Sequence, residues 1–279
     1  MFIIIAHHRN QILFLCFIST LDKTEKIKYI EYNLFGLYRL MQGLDSFVFS
    51  QTDWYSCVMS EKLEWPNFIF DIKSDKEIAT DKIEQLVKEI LNQTKPPFII
   101  IRDDASDFIE AIKQAGYLHV MRWPGMFLDI QENYINPVIN EIFEIKQVNQ
   151  LSGLEKWIET ANRSLFPTKG LDAGIFSKLL ESESVYFLLA YVKDKPAGTI
   201  LAHVDGHGCM GIYVVSTLEE YRGRGLMKAM VNHTVNLANF EGVKYLVLEA
   251  NLMSYNSYSK LGFEAVCNYD IFWKPFKNN

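Results

Sequence analysis

The sequence predicts an α/β protein with a mixed, largely antiparallel central sheet, helices on both faces of that sheet, and two tandem related domains. Three observations support this class. The chain has 279 residues, which is enough for one large domain or two ordinary ones. In the second half, strand-like segments first follow one another as hairpins and then alternate with helices, a combination that produces a mixed sheet. The two halves also show related coarse patterns of strands and helices.

The first half contains short apolar runs and two helical periodicities. Apolar residues spaced three and four apart predict helices, whereas short apolar runs bounded by turn residues predict strands. These patterns predict strands at 68–72, 98–101 and 126–130 and helices at 81–91 and 106–115. A polar segment at 131–137 ends in proline and separates the halves. The predicted domains are therefore residues 1–134 and 135–279.

The second half shows a denser alternation of the same two patterns. The predicted strands are 141–145, 185–192, 199–204, 209–215, 245–250 and a final strand through 271–273. The predicted helices are 152–165, 175–180, a long helix that opens at 221–226 and runs to about 240, and 255–260. Because hairpin strands precede the long helix, a purely parallel sheet is excluded.

Composition and charge exclude several classes of protein. The 28 basic and 34 acidic residues give a net charge of −6, which argues against a protein that binds nucleic acid through its phosphate backbone. The four cysteines form no C-x-x-C pair, so we expect reduced thiols, no metal site and a cytoplasmic protein. Two apolar runs, at 2–6 and 12–18, are too short to span a membrane, and we expect them in a buried strand or helix rather than in a secretory signal.

The most informative segment lies at 214–228, where a strand ends, a glycine-rich turn follows and a helix begins. The first amides of a helix have no backbone partner, and the positive end of the helix dipole lies behind them. Gly223 and Gly225 allow a ligand to approach the backbone closely. Arg222, Arg224 and Lys228 add positive charge. The segment therefore predicts a cradle for a pyrophosphate.

Two better-known phosphate-binding turns do not fit this segment. No Lys-Ser or Lys-Thr follows the glycines, as a P-loop requires. The third glycine of the dinucleotide-binding turn is also absent, and hairpin strands precede the turn in place of a βαβ start. A glycine-rich turn that only caps an ordinary helix remains the structural alternative.

Residues 222–226 (RGRGL) resemble the R/Q-x-x-G-x-G/A motif of the GNAT superfamily of acyl-CoA N-acyltransferases. Downstream, residues 248–251 (LEAN) and 258–263 (YSKLGF) are similar to the second signature of that family. The likeness covers roughly 141–273, and the first half resembles only in outline the degenerate N-terminal domain of tandem members. Met227 stands where the family usually has Gly or Ala, and Glu219 replaces the usual proline.

The resemblance implies that acetyl-CoA is the cosubstrate and that it binds where the sheet opens, between the strands that end at Val215 and Ala250. Backbone groups of Val215 and Thr217 would pair with the pantetheine amides like an added strand. Amides 223–228 would bind the pyrophosphate. The resulting candidate cosubstrate-binding residues are Val215, Ser216, Thr217, Arg222, Gly223, Arg224, Gly225, Leu226, Met227, Lys228 and Asn251. Asn251 could equally be a turn residue at a strand end.

The reaction so implied is direct attack of an amine on a thioester. Tyr258 matches the family tyrosine near the sulfur and is the candidate general acid, although it could also be a core aromatic residue packed on Phe263. Glu249 and Glu219 are the nearest acidic residues in sequence, and a chain of water molecules is an equal alternative for the base. The sequence favours both glutamates as solvated surface charges. We expect no cysteine to act as a covalent nucleophile.

The sequence therefore predicts an N-acetyltransferase that uses acetyl-CoA and acts on an amine of a small molecule or protein. The second half would be catalytic, and the first half would shape the acceptor cleft. Two alternatives remain, a non-catalytic CoA-binding regulatory module and an acyltransferase that uses another acyl-CoA. We expect no nucleic-acid or membrane partner, and a monomer or a homodimer.

Overall fold

The computed structural model describes residues 7–8, 11–12, 21–73, 80–131, 143–166, 168 and 170–276. Its helices are α1 (Lys23–Leu40), α2 (Thr80–Leu91), α3 (Ser106–Gln114), α4 (Leu151–Leu165), α5 (Ala173–Phe176), α6 (Leu226–Phe240) and α7 (Tyr255–Ser259). Short 3₁₀ turns follow α1 and α5 and precede α6. Among the described residues, no helix has both the length and the apolar character needed to cross a bilayer.

Thirteen strands are described, and eleven of them form one sheet. The strands of the first half are β1 (His7–His8), β2 (Gln11–Ile12), β3 (Val48–Gln51), β4 (Ser56–Met59), β5 (Phe68–Phe70), β6 (Phe98–Arg102) and β7 (Leu118–Asp129). Those of the second half are β8 (Phe143–Val148), β9 (Val185–Val192), β10 (Lys195–Val204), β11 (Cys209–Thr217), β12 (Tyr245–Glu249) and β13 (Glu264–Trp273). Within the described part of the chain, β1 and β2 pair with each other and with no other strand.

The large sheet has the order β3-β4-β5-β6-β13-β7-β12-β11-β10-β9-β8. Two neighbouring pairs, β5 with β6 and β11 with β12, are parallel, and the others are antiparallel. The sheet is therefore mixed and largely antiparallel, with helices on both faces, which confirms the predicted fold class.

The two halves exchange a strand within this sheet. Strand β7 belongs to the first half but pairs with β12 through Tyr245↔Asp129 to Glu249↔Gly125. Strand β13 belongs to the second half but pairs with β6 through Tyr269↔Arg102 to Trp273↔Phe98. The strands β7 and β13 also pair with each other. Hydrogen bonds thus join both halves into one sheet. The division of the chain into two domains at residue 134 stays a prediction.

The core consists of layers above and below this sheet. Along β9, Phe187 and Leu189 face a cluster that includes α1 and α4, whereas Leu188 and Ala190 face a cluster that includes α6. This alternation is the two-residue period of a strand that is buried on both faces. Helices α2 and α3 cover the first half through a third cluster with β5 and β6.

Helix α1 lies over the second half although it begins the first. It starts with a capping box in which Asp22 and Glu25 each accept a hydrogen bond from the other's amide. Asn33, in the middle of the helix, donates to the carbonyls of His203 and Cys209 at 3.1 Å and accepts from the Tyr213 hydroxyl at 2.8 Å. These buried bonds fix α1 above β11.

Most predicted elements are confirmed with shifted ends, and five helices or strands are additional. Strands 185–192 and 245–250 are observed as β9 and β12, and the long helix is α6, which starts at Leu226 after a separate 3₁₀ turn. The prediction omitted α1 and the strands β1, β2, β3 and β4. The apolar runs at 2–6 and 12–18 lie almost wholly outside the described residues.

Candidate active site

The sheet opens between β11 and β12. These parallel strands pair from Cys209↔Tyr245 to Gly211↔Val247, and beyond that point they diverge. A cavity of about 230 Å³ occupies the opening and is lined by residues 212–217 of β11 and by Leu248 and Glu249 of β12. We call it the inner cavity. The predicted opening between these two strands is thus present.

A bulge in β11 accompanies the divergence. Thr199 of β10 pairs with Ser216 and Leu201 pairs with Tyr213, so β11 carries one extra residue between these pairs. Val214 has a φ of 47°, a strained conformation for a β-branched residue. The Thr199 hydroxyl donates to the Val214 carbonyl at 2.9 Å and lies 2.7 Å from Ser216 Oγ. Because a bulge bends its strand, the end of β11 departs from the direction of β12.

A second cavity lies at the amino end of α6, and we call it the outer cavity. Gly223 and Gly225 have φ values of 73° and 83°, and a Cβ built on either would have open space around it. Gly225 caps α6, whose first amides therefore have no helical partner. The cavity is lined by the turn, by the first residues of α6, and by Lys228 and Lys260. This combination of free amides, helix dipole and ammonium groups can bind an anion.

The two cavities form one groove. Thr217 and Met227 line both of them, so the amino end of α6 and the interior of the sheet are connected. Met227 is partly buried at this junction. The Thr217 carbonyl accepts from Arg222 Nε at 3.1 Å and from Ser164 Oγ at 3.4 Å. The turn is therefore tied to the end of β11, while the carbonyl of Thr217 is already engaged.

Glu249 brings a carboxyl group into the inner cavity. Its Oε1 atom is excluded from solvent and has no hydrogen-bond partner among the residues that the structure describes. Loss of hydration destabilises the charged form, and burial raises the pKa of Glu249 to about 8. The expectation that Glu249 is a solvated surface charge is therefore wrong. Glu219, the other candidate, is exposed in the 3₁₀ turn before α6, as expected.

Several aromatic hydroxyls and thiols surround this carboxyl. Burial raises the pKa of Tyr38, Tyr213 and Tyr269 well above the usual range, and the negative charge of Glu249 adds to the effect at each. Burial likewise raises the pKa of Cys267 to about 12 and that of Cys209 well above its usual value. Both thiols are therefore protonated at neutral pH and unsuited to act as nucleophiles.

Tyr258 lies in α7 and lines the inner cavity with only 4% of its surface exposed. Its ring meets Phe263 edge to face at 5.7 Å, so the packing role and the position at the cavity coexist. Burial raises the pKa of the Tyr258 hydroxyl above its usual value. The phenol is therefore neutral at physiological pH and available as a hydrogen-bond donor.

The other predicted residues divide between the two cavities. Val215, Ser216, Thr217 and Asn251 line the inner cavity, and Asn251 also accepts a bond from the Ser254 amide at 2.8 Å, as a turn residue does. The residues at the outer cavity are Thr217, Arg222, Gly223, Gly225, Leu226, Met227 and Lys228. The side chain of Leu226 is 1% exposed in the core, so only its backbone can serve a ligand.

Arg224 is not among the described residues that line either cavity. Its guanidinium lies 5.8 Å from the centre of the ring of Tyr221, which does line the outer cavity, and the two form a cation–π arrangement. Lys260, which sequence reasoning did not select, lines the outer cavity. Its position inside the second family signature was the signal available for finding it.

Residues of the first half also line the inner cavity, and sequence reasoning missed them. They are Leu34 and Tyr38 of α1, Trp65 in the loop before β5, and Trp123 of β7. No local pattern marks them, because they join the site only through the position of α1 and the strand exchange. The sequence led us to expect that the first half shapes the acceptor cleft, but it did not indicate which residues would do so.

An open mixed sheet whose parallel central strands diverge over a glycine-capped helix defines the GNAT class of folds. Residues 151–263 match the family model described as acetyltransferase (GNAT) family. This part of the chain is therefore similar to the GNAT acetyltransferases, a family of acyltransferases. No match was found among curated proteins.

Solved structures share the fold over most of the chain. A GCN5-related N-acetyltransferase from Kribbella flavida aligns with a TM-score of 0.65 at 16% identity, covering 87% of this chain and 95% of the other. A GCN5-related N-acetyltransferase from Sphaerobacter thermophilus gives 0.63 at 15% identity, covering 88% and 86%. A tandem GNAT protein from the clavulanic acid biosynthesis pathway gives 0.55 at 10% identity, covering 81% and 79%.

Proposed function

We propose that the protein is an N-acetyltransferase that uses acetyl-CoA and transfers the acetyl group to an amine by direct attack. The observation that supports this most is the continuous groove, which leads from the free amides of α6 to the buried carboxyl of Glu249. A diphosphate at one end and a thioester at the other would fill such a groove.

The outer cavity fits the diphosphate of CoA. Amides 223–228 would donate to its oxygens, and Arg222, Lys228 and Lys260 would compensate its charge. Open space at Gly223 and Gly225 fits a bulky anion close to the backbone. The divergence of β11 from β12 leaves the backbone of Val215 available for the pantetheine amides. Asn251 would order the wall of the pantetheine arm.

The inner cavity fits the chemical step. An alkylammonium has a pKa of about 10.4 and must lose a proton before it attacks. The carboxylate of Glu249 would accept that proton, since a base with a pKa near 8 is suited to neutral pH. The amine nitrogen then bonds to the thioester carbon, the C–S bond breaks, and the second proton of the nitrogen passes to the departing sulfur, which leaves as the thiol of CoA. Tyr258 would donate a hydrogen bond to the sulfur while negative charge develops on it, and one proton is released overall.

The direct test is release of CoA thiol from acetyl-CoA with a panel of amines, together with the mass of the product. We expect an acetylated amine and one equivalent of thiol. Acetyl-CoA that binds in calorimetry without turnover of any amine would contradict the proposal. That result would favour a non-catalytic CoA-binding module, an alternative to which Met227 at the junction of the cavities gives some support.

The acyl donor needs its own comparison, because another acyl-CoA is the remaining alternative. The assay is repeated with butyryl-CoA at the same concentrations. We expect a higher kcat/KM with acetyl-CoA, and a clear preference for the longer chain would replace the proposed donor.

A further inference from the structure

The wall of the inner cavity that comes from the first half is aromatic. Tyr38, Trp65 and Trp123 line the same cavity as Glu249 and Tyr258. Tyr38 is 1% exposed, and both tryptophans are partly buried. Since β11 and α6 form the groove proposed for the donor, these three rings are available to the acceptor.

This aromatic wall is fixed by ring contacts. The ring of Phe68 stacks on Tyr38 with centroids 5.7 Å apart and meets Trp123 edge to face at 5.9 Å. Tyr38 meets Trp65 edge to face at 6.3 Å. Such pairs hold their geometry, so the wall is in place before an acceptor binds.

The inner cavity contains few charged side chains. Among the described residues that line it there is no lysine, arginine or histidine, and Glu249 is the one carboxyl group. A phosphate or carboxylate on the acceptor would be buried without a cation, which is costly. A polycation would find one carboxylate for several ammonium groups. Aromatic faces and one carboxylate suit a single ammonium attached to an apolar body.

We propose that the acceptor is a primary amine on a compact aromatic or aliphatic body that carries no other charge. The inference rests on the proposed function, because it concerns the second substrate of the same site. The acceptor would enter as an ammonium, lie with its body against Trp65 and Trp123, and lose its proton to Glu249. The nitrogen then bonds to the thioester carbon, the carbon–sulfur bond breaks, and CoA leaves as a thiol after its sulfur takes the second proton of the nitrogen.

The first test compares four amines with acetyl-CoA at saturation. Phenethylamine represents the proposed class, phenylalanine adds a carboxylate beside the amine, spermidine is a polycation, and glucosamine is polar. We expect kcat/KM for phenethylamine to exceed each of the others at least tenfold. A preference for any of the other three would overturn the inference and leave the proposed function intact.

The second test uses variants of the wall. Trp65→Leu and Trp123→Leu should each raise KM for phenethylamine about tenfold and leave KM for acetyl-CoA within twofold. Trp65→Phe, which keeps a ring, should stay within threefold. The matched control is Tyr32→Leu, a half-exposed aromatic residue of the same helix α1 as Tyr38 that lies outside the cavity. Wall variants that behave like this control would overturn the inference.

A binding measurement separates failure of the inference from failure of the function. Phenethylamine is titrated into protein saturated with CoA, and quenching of tryptophan fluorescence is followed in the parent protein and in Trp65→Phe. Saturable quenching without turnover of any amine would support the acceptor class and contradict the proposed reaction. Turnover of another amine with no saturable quenching by phenethylamine would contradict the acceptor class and support the proposed reaction.

Discussion

At the scale of single residues, Glu249 shows how burial that is costly to the fold would serve the proposed reaction. Its backbone pairs in the middle of the sheet with Gly125, while the Oε1 atom of its carboxyl group lies away from water with no hydrogen-bond partner among the described residues. The same loss of hydration that destabilises the ionised form raises the pKa toward the range in which a base acts efficiently.

Glu249→Gln should remove the rise of the rate with pH on the acidic side of the pH–rate profile. In the parent protein the carboxyl must be ionised to accept a proton, so kcat/KM should rise with pH and level off above about 8. At pH 7.5 the kcat/KM of the variant should be lower than that of the parent by about a hundredfold or more, and it should show no such rise with pH. Steady-state rates from pH 6 to 9.5 measure this. A parent-like profile in the variant would remove Glu249 as the base.

The same substitution should raise stability, increasingly so at higher pH. The native carboxyl keeps its proton up to a pKa of about 8, whereas the unfolded one loses it near 4.5. Stability therefore falls as pH rises between these values, by roughly 3 kcal/mol at pH 7. We expect the melting temperatures of Glu249→Gln and parent to coincide at pH 4 and to separate by several degrees at pH 8. An equal difference in melting temperature between variant and parent at both pH values would contradict the raised pKa of the buried carboxyl.

Tyr258→Phe tests the hydroxyl without removing the ring. The edge-to-face contact with Phe263 is kept, so the melting temperature should stay within a few degrees of the parent. The kcat should fall about a hundredfold, since a donor to the leaving sulfur is lost, while KM for acetyl-CoA stays similar. An unchanged kcat would leave Tyr258 with a packing role alone.

At the scale of elements, the site depends on the turn before α6 and the bulge in β11. The turn needs two glycines in the left-handed region, and the bulge holds Val214 there through Thr199. Sequence reasoning identified the turn, because its glycines, charges and following helix are local. It did not identify the bulge, since the register shift depends on pairing with β10.

Gly225→Val should weaken binding of acetyl-CoA. A Cβ at this position meets no atom, so the effect would come from the φ of 83°, which costs a residue with a side chain about 1–2 kcal/mol. We expect a rise of about tenfold or more in Kd, by calorimetry, as the turn moves the first amides of α6. The control is Gly206→Ala in the β10–β11 turn, which also has open space but needs no positive φ. Equal affinities in both variants would contradict the cradle.

The sequence predicts the presence of helices and strands better than it predicts where each of them begins and ends. The prediction placed the last strand of the first half at 126–130, whereas β7 begins at Leu118. Residues 118–122 are exposed and mix charged with apolar side chains, so they lack the apolar run that marks a buried strand. Their strand conformation comes from pairing with β13, which is distant in sequence.

At the scale of the whole molecule, the exchange of β7 and β13 makes the halves dependent on each other. Without β7, strand β12 would expose an unpaired edge beside Glu249, and the inner cavity would lose Trp123. The sequence predicted two tandem units in order, but not this exchange, since hydrogen bonding between distant strands leaves no local pattern.

Residues 135–279 expressed alone should therefore not form a stable monomer. The fragment keeps β8 to β13 but has no partner for one edge of β12, lacks both neighbours of β13, and lacks the α1 cover of β11. We expect aggregation or a broad, non-cooperative thermal transition, and recovery of a cooperative transition when residues 1–134 are co-expressed. A monodisperse fragment that binds acetyl-CoA, measured by light scattering and calorimetry, would show an autonomous domain.

The strand exchange also has a consequence for synthesis on the ribosome. Strand β6 emerges early, yet its neighbour β13 is completed only at Trp273, about 170 positions later. Until then the nascent first half carries an open edge that could recruit another chain. The last strand of the sheet is therefore added only when translation is nearly complete. A chaperone that covers the open edge would matter most while the chain is still on the ribosome.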